Sequence, residues 1–274
     1  MSTIPFIHVS NVIKTFSDAK RGREVTALDR VSLDLGRNEF LCLLGPSGCG
    51  KSTLLNMIAG FDFPTSGSVQ VGGVKVERPG EQRGMVFQQA TLMPWLPVWE
   101  NVAFSLKLRG KGAAERREMA QKFIAMVGLE GFENHYPFEL SGGMSQRVGI
   151  ARALLMNPEV ILMDEPFAAL DSQTKLEMQE ELVGIWQRQQ GTIVFVTHSV
   201  DEALILGTQI AVMTYRPGRI RELIKLDLPR PRDVTSPEFN ELKRHILALI
   251  REESERARAE ALAERHLMKK SVRA

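Results

Sequence analysis

Cysteine is scarce in this chain: 274 residues hold only Cys42 and Cys49. That excludes a disulfide-stapled scaffold and fits a reducing compartment such as the cytoplasm. Long apolar runs are missing too. Stretches such as residues 193–196 fall far short of the ~18 residues of a spanning helix, so work at a membrane requires another chain to cross it. Charge of one sign is also lacking. Thirty-five Lys plus Arg stand against 33 Asp plus Glu, a formal +2, and so small a balance argues neither for nor against nucleic acid. The start, Met1 to His8, shows no basic segment leading into an apolar one, so it reads without a secretory signal. What remains is 43% hydrophobic and 25% charged, which excludes collagen-like, low-complexity and wholly disordered chains. The length allows one large domain or two modest ones.

Patterning indicates an α/β fold. β-Branched residues in the first forty predict short antiparallel strands. Residues 39–44 form an apolar run of the kind buried on both faces in a parallel sheet. Residues 51–59 have helical spacing, with Leu54, Leu55 and Ile58 on one side, and 68–71 alternate again. A polar stretch at 109–117 leads into a helix with Met119, Phe123, Met126 and Val127 on one face. A further helix spans 147–155 and stops at Asn157 and Pro158. Buried strands at 160–163 and 193–196 flank a long helix at 170–190, the alternation of a parallel core. Pro217 and Gly218 mark a change of character, 227–232 reads as a proline-punctuated linker, and 239–268 reads as a solvated helix. On it Glu252, Arg256, Glu260 and Glu264 recur every four residues, so that the last pair repels. No internal repeat is visible.

Gly45, Pro46, Ser47, Gly48, Cys49, Gly50, Lys51, Ser52 and Thr53 satisfy G-x-x-x-x-G-K-[ST] between a strand and a helix. Glycines let the backbone curl so that successive N–H groups point inward at a phosphate, and the next helix adds its positive end. Lys51 would reach the β- and γ-phosphates and Ser52 would place its hydroxyl on Mg²⁺. Cys49 reads as a tolerated small residue whose modification would block nucleotide. Asp164 and Glu165 close the strand at 160–163. Asp164 suits the magnesium shell and Glu165 the water that attacks the γ-phosphate.

Residues 140–147, L-S-G-G-M-S-Q-R, resemble the signature of ABC transporter ATPases. The resemblance extends over about residues 6–232, through Gln88, Ala169 to Asp171, and Thr197 with His198. It implies ATP and Mg²⁺ as ligands and a P-loop NTPase core with a parallel sheet. It also implies an N-terminal antiparallel β-subdomain and a helical subdomain at about 89–157, within an ATPase domain at 1–232. A C-terminal helical extension follows at 233–274. Ser141, Gly142 and Gly143 would face the γ-phosphate held by a second copy, so that a head-to-tail homodimer completes two sites. Gln88 would approach the magnesium and the attacking water, Asp171 the dimer seam, His198 the γ-phosphate and Phe16 the adenine.

Met144, residues 215–220 and 228–232, and Met93, Pro94 and Trp95 together resemble the nitrate, sulfonate and taurine importer branch. Ser145 departs from that branch, which often has arginine there. The implied function is the ATP-hydrolysing subunit of an importer for a small anion. Its partners would be two integral-membrane permease subunits and, indirectly, a solute-binding protein, with no nucleic acid. Its place would be peripheral, on the cytoplasmic face of the inner membrane. An exporter ATPase subunit shares every catalytic motif and stands as an alternative, as does a soluble ABC ATPase outside transport. The interval of about 90 residues between Lys51 and Ser141 leaves no room for the long coiled coil of DNA-repair members. A single cassette excludes the tandem translation type.

Overall fold

The computed structural model describes residues 5–18 and 23–271, with Asp18, Arg23 and 261–271 as backbone alone. The start of the chain at Met1 and the side chain of Glu264 lie outside the described residues. In chain order the elements are β1 (Ile7–Asp18), β2 (Arg23–Leu35), β3 (Phe40–Leu44), α1 (Lys51–Ala59), β4 (Ser66–Val71) and β5 (Val74–Lys75). Then come β6 (Arg83–Val86), α2 (Val98–Val102), α3 (Phe104–Leu108), α4 (Ala113–Met126), α5 (Gly142–Leu155), β7 (Val160–Asp164), α6 (Ser172–Gln189) and β8 (Thr192–Val196). The chain ends with α7 (Val200–Leu206), β9 (Gln209–Met213), β10 (Ile220–Lys225) and α8 (Pro237–Ser271). Two units emerge, one of Met1–Gly36, Phe40–Glu77 and Thr197–Ala274, the other of Arg37–Glu39 and Arg78–Val196.

In the first unit an antiparallel sheet runs in the order β2-β1-β4-β5. Its first two strands are long rather than short. Register slips between Val9 and Val12, and twice more before Thr15, break the pairing. Asn11 (φ 46°) and Arg30 (φ 52°) take the left-handed turn. Such bulges add twist to a ladder that would otherwise run flat, so one bulged hairpin replaces several short strands. Separately, β3 pairs in parallel with β9, and β10 pairs antiparallel with β9. All five residues of β3 and of β9 are buried, which is why β3 reads as a continuous apolar run.

In the second unit β6, β7 and β8 pair in parallel, and α2, α4 and α5 pack on one another. Helix α4 buries Ala120 and Ile124, with Val127 just beyond its end. Met119, Phe123 and Met126 are half-buried on the same side. Helix α5 begins at Gly142, five residues before the expected start at 147. Glycine is a weaker helix former than alanine. The Ser141 hydroxyl offsets this by accepting from the Met144 N–H at 3.2 Å, a side-chain cap.

Helix α8 is docked rather than solvated over its first half. Phe239, Ile246 and Glu253, seven residues apart, are each 1% exposed or less, and the helix lies on α7 and β9. Glu252 bonds to Arg221 and Arg256 to Glu253, and the Arg256 charge also helps hold the Glu252 carboxyl down. If α8 is docked, Ile246→Ala should destabilise the chain by about 2–5 kcal/mol in urea denaturation. A loss below about 0.5 kcal/mol would return α8 to a solvated helix.

Candidate active site

In the first unit the backbone leaves β3 at Leu44 and curls through Gly45–Gly50 into α1. Gly48 (φ 78°) and Gly50 (φ 99°) hold the left-handed turns of that curl. At Gly50 a Cβ would stand 2.5 Å from Leu28 Cδ2 and 3.2 Å from the Ala27 carbonyl oxygen, so glycine is needed there for both φ and space. Lys51 is buried at 6% exposure. Its Nζ donates to the carbonyls of Gly45 at 2.8 Å and Pro46 at 3.0 Å. The ammonium thus sits inside the curl, solvated by the loop's own oxygens. Ser52 is exposed and Thr53 half-buried in the first turn of α1, at its positive end.

Cys49 is buried and free. Burial pushes its thiol up, only partly offset by the Lys51 charge 3.7 Å from Sγ. A protonated, covered thiol is a poor nucleophile, so modification at Cys49 is slow. Cys42 is likewise buried and free, its thiol pushed up by burial.

The outside of the curl is held by a turn that sequence reading used only as a family cue. Arg216 Nε donates to the Gly48 carbonyl at 3.1 Å. The Gly218 N–H donates to Ala27 at 2.9 Å, the Asp29 N–H returns a bond to Gly218 at 3.0 Å, and Arg219 pairs with Asp29. A side chain at Gly218 would collide with the Cys49 carbonyl. The turn is therefore wedged between β2 and the phosphate loop.

His198 lies at the same end of β3, because the Thr197 N–H donates to the Leu43 carbonyl at 3.2 Å. Thr197 is buried and its hydroxyl donates to buried Glu202 at 2.5 Å. Ser199 caps α7 by accepting from the Glu202 N–H at 3.3 Å, and His198 between them is exposed. The far end of α7 is capped by two guanidiniums. Arg230 donates to Ile205 at 2.7 Å and to Leu206 and Gly207, and Arg232 donates to Leu204. Burial, with Arg230 adjacent, pushes the Arg232 guanidinium down to about 10. Phe16 is 44% exposed, with Lys14 Nζ 4.8 Å from its ring centroid, so it is a surface ring and not a core aromatic.

The second unit brings Gln88 and Glu165 together. Gln88 Nε2 donates to Glu165 Oε2 at 3.3 Å. Glu165 has φ 45°, and its N–H donates to the Val196 carbonyl at 3.0 Å. This turn ends β7 and presents two half-buried carboxylates, Asp164 and Glu165. Helix α5 fixes the Gln88 segment on both sides. Buried Gln146 donates to the Phe87 carbonyl at 3.0 Å, and Arg152 to the Thr91 carbonyl at 2.9 Å. At the other end of α5, Ser141 and Gly142 are exposed, while Gly143 is half-buried beside the Ala169 carbonyl. Asp171 caps α6, accepting from the Thr174 N–H at 3.0 Å and its hydroxyl at 2.7 Å. Those bonds hold its carboxyl below the usual range.

Sequence reading missed Gln146, Arg152 and Arg216. A glutamine on the buried side of an apolar helix was the one available signal for Gln146. It also missed Asn101, fully buried, which accepts from the Met93 N–H at 2.8 Å and donates to Leu96 at 2.8 Å. Asn101 thereby sets the loop that leaves Trp95 72% exposed. Beside it is a groove of about 220 Å³ lined by Met85, Met93, Phe104, Leu108, Arg152 and Met156. The Ser105 hydroxyl also lines it and has no hydrogen-bond partner among the described residues. No described helix is long and apolar enough to cross a membrane.

The ABC transporter family profile matches residues 28–168. An uncharacterized ABC transporter ATP-binding protein of Methanocaldococcus jannaschii is 56% identical over 247 residues, 90% of this chain and 92% of that one. The taurine import ATP-binding protein of Rhizobium johnstonii is 50% identical over 86% of this chain and 93% of its own length. The aliphatic sulfonates import ATP-binding protein of Bacillus subtilis is 44% identical over 86% and 91%. Among solved structures, a dimeric post-hydrolysis ATP-binding cassette bound to ADP and Pi superposes with a TM-score of 0.73 at 37% identity, covering 80% of this chain and 98% of that one.

The Cys49 geometry makes a direct prediction. Iodoacetamide at neutral pH should alkylate Cys49 in the folded chain more than about tenfold slower than a free model thiol, since reactivity follows exposed thiolate. Peptide mass mapping over time reads the rate, and a rate equal to the model thiol's would contradict the buried placement.

Proposed function

The chain belongs to the ABC transporter family and is an ATPase subunit of the importer type, and on that premise we propose that it powers uptake of a sulfonate, taurine or a related small anion. The solute class rests on relatives named for taurine and aliphatic sulfonate import. In such a division of labour, the permease and the solute-binding protein select the solute.

The observation that carries the catalytic reading is the Gln88–Glu165 pair at 3.3 Å, together with a phosphate loop that already holds a buried cation. Backbone N–H groups of Gly45–Thr53 cradle the phosphates, and Lys51 exchanges loop carbonyls for phosphate oxygens. Glu165 orients the attacking water and draws on its proton as the oxygen bonds to the γ-phosphorus and the bond to ADP breaks. A carboxylate only accepts hydrogen bonds, so Gln88 must give it the amide N–H and keeps its carbonyl oxygen for another partner. The Ser52 hydroxyl, the Asp164 carboxylate and that Gln88 oxygen are hard donors of the kind Mg²⁺ takes while keeping phosphate and water ligands. Bound there, the ion would neutralise charge on the phosphate oxygens. His198 and the adenine-facing Phe16 complete the contacts.

The exposed Ser141 hydroxyl and the Gly142 and Gly143 amides, at the positive end of a 14-residue helix, form an anion clamp for the γ-phosphate of a second copy. A head-to-tail homodimer uses both clamps. Two permease subunits dock at the methionine-lined groove beside the Gln88 segment, where a half-apolar helix can cover Leu108 and meet the Ser105 hydroxyl. This chain is then peripheral, held at the cytoplasmic face through the permease.

Glu165→Gln should leave ATP binding intact and lower turnover by about a hundredfold or more, read by a phosphate-release assay beside equilibrium binding. Turnover near that of the native sequence removes Glu165 from the catalytic role. Tagged chain purified from solubilised native membranes should carry a polytopic permease at one-to-one stoichiometry. Recovery only from the soluble fraction, with ribosomal or DNA-associated proteins, would sink the transport reading and leave the ATPase standing.

A further inference from the structure

The apolar stripe that docks α8 is interrupted by an acid. Phe239 and Ile246 are followed, seven residues on, by Glu253, which is 1% exposed. A buried carboxylate is costly unless its oxygens are paired, and here both are. Oε1 accepts from Arg221 Nη1 at 2.7 Å and from Arg256 at 3.3 Å. Oε2 accepts from the backbone N–H of Tyr215 at 2.9 Å. Arg221 is itself tied to the same helix, through the Leu249 carbonyl at 3.2 Å and the Glu252 carboxylate. The charged position on α8 is thus spent on the first residue of the turn whose next residue, Arg216, bonds to the Gly48 carbonyl.

That carbonyl has a consequence inside the loop. Across a planar trans peptide the C=O of Gly48 and the N–H of Cys49 point in opposite directions. With the carbonyl drawn outward to Arg216, the Cys49 N–H is turned into the curl, where it donates to the Pro46 carbonyl at 3.3 Å. Glycine at 48 makes that peptide easy to rotate, so an external anchor decides which group faces the phosphates.

We propose that α8 is a positioning element for the phosphate loop, acting through Glu253, the Tyr215–Arg216 backbone and the Gly48 carbonyl to keep the Cys49 amide aimed at ATP. The inference rests on the proposed ATP site and assigns Arg216 and Glu253 as positioning residues for it. Neither touches the nucleotide in this scheme.

The test uses the full chain carrying Glu165→Gln, so that bound ATP persists, and reads affinity with a fluorescent ATP analogue. Arg216 is exposed, so Arg216→Ala should fold with an unchanged melting temperature. It should weaken the analogue about tenfold, the worth of one charge-assisted bond, and Arg216→Lys should recover part of that. Glu253→Gln should weaken binding in the same direction, and the double variant should be no worse than Arg216→Ala alone, because both cut one path. In the chain with Glu165 intact, KM for ATP should rise while kcat at saturation changes by less than about twofold. If Glu253→Gln yields no folded protein, Arg221→Lys, which loses one arm of the fork, takes its place. Arg216→Ala affinity within about twofold of its parent, or additive losses in the double variant, overturns the coupling. Absence of ATP binding in the parent itself would overturn the proposed ATP site instead.

Discussion

A buried ammonium needs oxygen around it, and in the loop after β3 the nearest oxygens are the backbone carbonyls of Gly45 and Pro46. That requirement shapes the first unit. For two carbonyls to turn inward on Lys51, the chain has to curl tightly, and the curl needs left-handed residues at Gly48 and Gly50. The close approach of Gly50 to Leu28 then ties the loop to β2. Fully buried β3 supplies a rigid base on one side, and α1 buries Leu54, Leu55, Met57 and Ile58 on the other. A phosphate offers the ammonium better oxygens than the carbonyls do, because it carries charge. In the proposed function the ammonium would therefore exchange those carbonyls for phosphate oxygens.

The second unit solves a different problem with one helix. Two acceptor-rich carboxylates stand side by side at the end of β7, and the proposed hydrolytic role requires one of them to be correctly aimed. Gln88 supplies a donor to Glu165, but a glutamine on a loop is a poor fixture by itself. Helix α5 makes it one. Gln146 holds the residue before Gln88, Arg152 holds Thr91 beyond it, and Arg147 reaches back to the Val127 carbonyl at 2.9 Å. Ser141 caps the same helix at its exposed N-terminus. These specific hydrogen bonds all run from one element.

How much of this was legible depends on the range over which each feature is determined. The phosphate loop, the paired acids and α1 were readable because each is fixed by neighbours within a few residues: glycines for φ, a strand before and a helix after. The order of Gln88, Ser141, Asp171 and His198 was readable through family resemblance and not from local physics. What escaped was long-range. The early start of α5 rests on the Ser141 cap, which periodicity does not register. The bulges of β1 show only in its pairing with β2. The docking of α8 was hidden because Glu253 breaks the apolar repeat, and its partners lie 32 and 38 residues away at Arg221 and Tyr215. Periodicity cannot reveal a buried acid whose justification lies on another element.

The two segments that served as branch markers, 215–220 and 228–232, have a common physical logic. Each brings a guanidinium to backbone carbonyls close in the chain to a residue of the proposed site. Arg216 takes the Gly48 carbonyl beside Lys51. Arg230 and Arg232 take the carbonyls of residues 204–207, the end of α7, which begins two residues after His198. A short helix with its last carbonyls unmet would fray, and seven residues leave no spare turn between that end and Ser199. Holding α7 from its far side keeps Glu202 in place, Glu202 keeps Thr197, and Thr197 fixes where His198 leaves the strand. The arginines are exposed or half-buried and none is placed on the nucleotide. Their common task is to saturate main-chain oxygen, for which the five fixed donors of a guanidinium suit better than an ammonium. Replacing any of these three arginines by lysine would keep the charge and lose the fork, so the physical content of these markers lies in donor geometry rather than in net charge.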